Sequence, residues 1–77
     1  MLGFRFRTPP DKTRQKAATR LSTLAPSEVL SWADVAMSDA WRALDAYRKD
    51  PQPDALEDME TALQQILGAV DVLRERS

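Results

Sequence analysis

Apolar residues in the second half of the chain fall into two rows with the same stepping. Leu30, Ala33, Met37, Ala40, Leu44 and Tyr47 advance by alternating threes and fours, and Leu56, Met59, Leu63, Ile66, Val70 and Leu73 repeat the sequence of steps. That spacing is the heptad signature of a helix with one apolar seam. Asp50-Pro51-Gln52-Pro53 lies between the rows and breaks any continuous helix, because proline lacks the amide proton and clashes with the preceding turn. The pattern predicts an antiparallel helical hairpin. Tyr47 is expected opposite Leu56, Leu44 opposite Met59, Ala40 opposite Leu63, Met37 opposite Ile66, Ala33 opposite Val70 and Leu30 opposite Leu73.

Helix boundaries follow from prolines and charges. Pro26 suits a first helical turn and blocks extension from the preceding segment, so the first long helix is expected from Pro26 or Ser27 to Lys49. Glu28 near its start and Arg48 and Lys49 near its end complement the helix dipole. Asp54, Glu57 and Asp58 open the next helix, which is expected to reach Arg74 or Arg76. Upstream, Thr8-Pro9-Pro10-Asp11 resembles a helix start, with Thr8 as the cap, Pro9 at the first helical position and Asp11 closing a capping box. The short helix it introduces, through about Ser22, has only Ala17, Ala18 and Leu21, with Leu24 beyond, to bury. Gly68 falls on the outward side of the hairpin in this register and reads as a tolerated surface glycine.

Beside the seam run two flanks. One is a lane of small residues: Val29, Ala36 and Ala43 on one helix, and Ala55, Ala62 and Ala69 on the other. It reads either as helix-forming filler or as a shallow surface on which another helix docks. Trp41 and Leu67 stand on the opposite flank, and Trp32 and Val35 point further from the seam. Tryptophan is enriched at interface hot spots. The expected protein interface therefore comprises Trp32, Val35, Ala36, Trp41, Ala43, Ala62, Leu67 and Ala69. The fold class expected is all-α: an antiparallel two-helix, coiled-coil-like hairpin with a short basic arm or helix, completed by dimerisation into a four-helix bundle. A competing arrangement is a closed three-helix monomer, in which Leu21 and Leu24 cover Trp32 and Val35.

Length and charge sharpen this picture. A core built from 77 residues rarely supplies more than ~3–5 kcal/mol without a staple, which favours a homodimer or a helical protein partner. Two units are expected: a basic arm over 1–24, partly helical from about residue 9, and the hairpin over 26–76 with its turn at 50–53. The net charge of −1 hides a strong division. Residues 1–20 carry six bases, Arg5, Arg7, Lys12, Arg14, Lys16 and Arg20, against Asp11 alone, whereas the remainder carries five bases against eleven acids. The arm is accordingly expected to meet an anionic partner, or to lie on acidic helices of its own chain.

Candidate chemistry is sparse. There are no cysteines and no histidines, which removes disulfides, thiolate and imidazole metal ligands, and the usual neutral-pH proton shuttle. Asp54, Glu57, Asp58 and Glu60 crowd a helix start, without the loop glycine and ligand spacing of a calcium site. No glycine-rich phosphate loop or activated serine occurs, so neither catalytic residue, metal nor cofactor is expected. The function expected is non-enzymatic: a small interaction, adaptor or regulatory protein acting through helix docking and self-association. Two alternatives use the arm. One is nucleic-acid binding through its bases, with Phe4 or Phe6 stacking on unpaired bases. The other is attachment to an anionic membrane through Phe4, Phe6, Arg5 and Arg7. No apolar run reaches the ~18–20 residues of a membrane span. The cytoplasm is the expected compartment.

Overall fold

The computed structural model describes residues 10–76, which form three α-helices: α1 (Pro10–Leu21), α2 (Pro26–Lys49) and α3 (Pro53–Glu75). Both long helices start and stop where proline and charge dictate. At the start of α2 the Glu28 carboxylate reaches back and accepts the Ala25 amide at 3.0 Å, satisfying one of the donors left over at a helix N-terminus. At its end the Asp50 amide donates to the Ala46 carbonyl at 2.9 Å, and the chain reverses through Asp50–Gln52 into Pro53. The capping contacts expected from Thr8, Pro9 and the Asp11 side chain lie outside what is described.

The long helices pack antiparallel, as the paired rows predict, but through a different face. Val29, Ala36 and Ala43 of α2 and Ala62 and Ala69 of α3 are the buried residues of the hairpin contact. The two predicted rows, led by their leucines, are turned partly outward: Leu30 is 57% exposed, Met37 48%, Leu56 43% and Leu63 47%, while Ala33, Ala40, Leu44, Tyr47, Met59, Ile66 and Leu73 are half-buried. The cause is geometric. Interaxial distance is set by the side chains at the contact, and alanine at heptad spacing on both helices lets the backbones come close along their whole length. Leucine and methionine in the same place would hold the axes apart. Alanine thus forms the seam, and the alanine lane is neither filler nor an open docking surface but the interior of the hairpin.

The arm helix is part of the fold. Leu21, fully buried, joins Val29, Ala69 and Val72 in the main core cluster, with Ala18, Leu24, Trp32, Ala33 and Leu73 packed around it. Gly68 allows this approach. A Cβ built there would lie 2.7 Å from the Ala17 Cβ and 2.7 Å from the Arg14 carbonyl oxygen, closer than real side chains tolerate, and 3.0 Å from the Ala18 nitrogen, itself a tight contact. The surface glycine expected from the heptad register is therefore a buried contact point between helices. Its cost as a weak helix former, ~1 kcal/mol relative to alanine, is offset by the packing it permits.

Polar groups complete the attachment of α1. The Arg14 guanidinium forks onto Asp71, Nε to Oδ2 and Nη2 to Oδ1, each at 2.7 Å. Arg76 donates to the Leu24 carbonyl at 2.5 Å and the Ser22 carbonyl at 2.6 Å, tying the α1–α2 connection to the end of α3. Both other helices pack most extensively on α3, while α1 meets α2 where Leu21 joins Val29. The resulting body measures 41 × 32 × 14 Å, flattened enough to present two broad faces.

Candidate interaction face

Position along the heptad decides which face each residue meets. On α2 the buried lane is 29, 36 and 43, and on α3 it is 62 and 69, with the half-buried Ala55 continuing it. Leu30, Met37 and Leu44 stand one residue after the α2 lane, and Leu56, Leu63 and Val70 one residue after the α3 lane. One residue is ~100° of rotation. Two antiparallel helices that face each other carry residues rotated in the same sense to the same side of the pair. Both leucine rows therefore open onto one broad face. Gly68 precedes the α3 lane by one residue, so α1 docks on the opposite side, and among the described residues no other element covers the leucine face.

The middle of this face holds Met37, Leu63 and Val70, all exposed, beside the half-buried Ala33, Ala40, Leu44, Met59 and Ile66. Trp41 (62% exposed) and Leu67 bound it on the two outer edges. Burying a leucine or methionine side chain contributes ~1.5–3 kcal/mol. A chain that leaves this row in water forgoes that gain several times over. Large exposed apolar patches on monomeric proteins mark interaction sites.

Of the eight interface residues expected from the sequence, the structure brings only Trp41 and Leu67 to this face. Ala36, Ala43, Ala62 and Ala69 are closed inside the hairpin, so they offer no surface to a partner. Trp32 is half-buried beside the Leu21 cluster, and Val35 is exposed on the α1 side of α2, in a shallow depression with Ser27, Glu28 and Ser31. Hydrophobicity alone assigns Leu30, Met37, Leu56, Leu63 and Val70 to the interior. The signal that places them outside is the unbroken small-residue lane one position earlier on both helices.

The basic arm divides similarly. Arg5, Arg7, Phe4 and Phe6 lie outside the described residues. Lys12, Lys16 and Arg20 are exposed, but Arg14 is engaged by Asp71, so at least one arm base serves the fold. The hydrogen bonds from Arg14, with its charge, hold the Asp71 carboxyl below the ordinary aspartate range, and Asp71 in turn raises the Arg14 guanidinium. Lys16 and Arg20 face Asp58, Thr61 and Gln65 across an open groove of about 450 Å³ that also reaches Trp32. The groove mixes both signs of charge. Among the described residues, no buried side-chain nitrogen or oxygen lacks a hydrogen-bond partner, no group of three acidic side chains is arranged to hold a metal ion, and no helix is long and apolar enough to cross a membrane.

No protein family, curated protein or solved structure matches this chain.

Proposed function

We propose that this protein is a non-enzymatic helical interaction module whose working surface is the leucine face of the α2–α3 hairpin. The observation that carries the reading is the division of labour between adjacent heptad positions. The fold is closed by alanine, glycine, Val29, Val72 and the single leucine of α1, while Leu30, Met37, Leu56, Leu63 and Val70 at helical spacing stand exposed. Such a surface accepts a further apolar helix face by knobs-into-holes packing. Fork, latch and close approach of α1 stiffen the far side, so the face is presented by a preformed scaffold and little ordering entropy is lost on docking.

Met37→Glu combined with Leu63→Glu separates an interaction face from a core. Helical content by circular dichroism is expected to survive, because both side chains stand in solvent. Wild-type protein is expected either to bind the apolar dye anilinonaphthalene sulfonate or to bury the face in an assembly, and the double variant to do neither. Loss of the helical fold in the variant would place these residues in the protomer's own core. A wild type that neither binds dye nor associates would leave the face without a role.

A further inference from the structure

The edges of the leucine face identify its occupant. Five residues after each lane position the chain reads Asp34, Trp41 and Arg48 along α2, and Glu60, Leu67 and Arg74 along α3, all exposed. Each outer edge thus runs acid, large apolar residue, arginine from N- to C-terminus. The two are related by a shift of 26 residues, the same shift that carries Leu30 onto Leu56, Met37 onto Leu63 and Leu44 onto Val70. Because α2 and α3 are antiparallel, this internal repeat makes the face nearly symmetric about an axis through its centre.

From this we infer that the leucine face is covered by the leucine face of a second copy of this chain, giving a two-fold dimer with a four-helix apolar core. The inference rests on the interaction-face reading above and names its partner. Charge complementarity carries it. When two copies meet face to face with their helices aligned and related by a two-fold axis, every outer edge lies against an antiparallel edge. If α2 meets the partner's α3, Asp34 approaches the partner's Arg74, Trp41 the partner's Leu67, and Arg48 the partner's Glu60. If α2 meets the partner's α2, Asp34 approaches the partner's Arg48 and Trp41 the partner's Trp41. In either arrangement the members of each pair are separated by about four residues, ~6 Å along the axis, within reach of arginine and carboxylate side chains. Acid meets base on all edges and apolar meets apolar at their centres. Self-complementarity of this kind is what a two-fold interface demands. The heptad rows, exposed or only half-buried within the protomer, supply the a and d layers between protomers.

Sedimentation equilibrium of the full chain across concentration reads the result. The wild type is expected to approach twice the chain mass. Asp34→Lys with Glu60→Lys makes every edge basic, and Arg48→Glu with Arg74→Glu makes every edge acidic. Each variant alone is expected to dimerise about 100-fold more weakly or worse, since like charges then oppose each other on all edges. Mixed in equal amounts, the two are expected to form a dimer of one chain of each. Circular dichroism monitors folding, and Leu63→Glu in the wild-type background reads the same face if a charge variant unfolds: dimer lost with helicity kept. Variants that dimerise like the wild type, or that fail to pair when mixed although both are folded, would overturn the inference. A wild type that stays monomeric at millimolar concentration yet binds the dye would overturn the second copy as occupant and leave the interaction face standing. A monomer that binds no dye would overturn both.

Discussion

Replacing Gly68 with alanine sets two effects of opposite sign against each other. In an isolated helix the change stabilises by ~1 kcal/mol, because alanine loses less backbone entropy than glycine. Here the new methyl would sit 2.7 Å from both the Arg14 carbonyl oxygen and the Ala17 Cβ. Ordinary contact begins near 3.4 Å, so α1 must move away by several tenths of an ångström. Two of the three obstructing atoms belong to the backbone and cannot rotate aside. Overpacking of this kind costs ~1–3 kcal/mol, and the displacement also loosens Leu21 and the Arg14–Asp71 fork. The expected net result is destabilisation by about 1–2 kcal/mol, concentrated in α1. Urea denaturation gives the total, and amide hydrogen exchange at Ala17 and Ala18 locates it, with protection there falling further than in the middle of α2. A Gly68→Ala protein that gains ~1 kcal/mol with α1 protection unchanged would refute the close approach and return Gly68 to the status of a surface glycine.

Two further outcomes follow from burial and charge. Leu21→Ala is expected to cost ~2–5 kcal/mol, whereas Leu63→Ala, measured on the dissociated chain, is expected to cost well under ~2 kcal/mol because that side chain is nearly half in water; the reverse order in paired denaturation curves would put the leucine rows back in the hairpin seam. The folded-state pKa of Asp71 is lowered, so its pairing with Arg14 stabilises α1 fully above the ordinary aspartate range, and that contribution is lost as pH falls through the lowered value. Hydrogen exchange or α1-specific fluorescence labels should therefore show α1 loosening on acidification below the ordinary aspartate range, an effect absent in Asp71→Asn.

Much of the architecture is legible in the sequence because its determinants are local. Pro26 and Pro53, Glu28 and Arg48 and Lys49 act within a turn or two of the boundaries they set, and the antiparallel pairing follows from two matching rows joined by a proline turn. The choice of face is not local. Val29, Ala36 and Ala43 have the same period as Leu30, Met37 and Leu44 and differ only by one position, so periodicity supports both seams equally. Hydrophobicity then favours leucine, while close approach of two backbones favours alanine, and only the assembled helices reveal which term dominates. Gly68 and the Arg14–Asp71 pair were hidden for a related reason. Their meaning depends on a contact across about fifty residues, and a weak helix former or a surface charge looks the same in sequence whether or not another helix arrives. Trp41 and Leu67 stand on the outer edges in either register, which is why they alone of the expected interface residues reached the open face.

The central place of α3 has a consequence for synthesis. It is the last of the three helices to emerge from the ribosome, yet both of the others lean on it. At ordinary elongation rates about 3–10 s separate the addition of Ala17 from that of Gly68. Throughout that interval α1 and α2 lack their main packing surface, and α2 carries Leu30, Met37, Trp41 and Leu44 with nothing beside them. The nascent chain thus carries an exposed amphipathic segment before it is a domain, available to chaperones and to other nascent copies on the same message. Once α3 arrives, Arg76 can reach back to the Ser22 and Leu24 carbonyls and fasten the first connection made to the last helix formed.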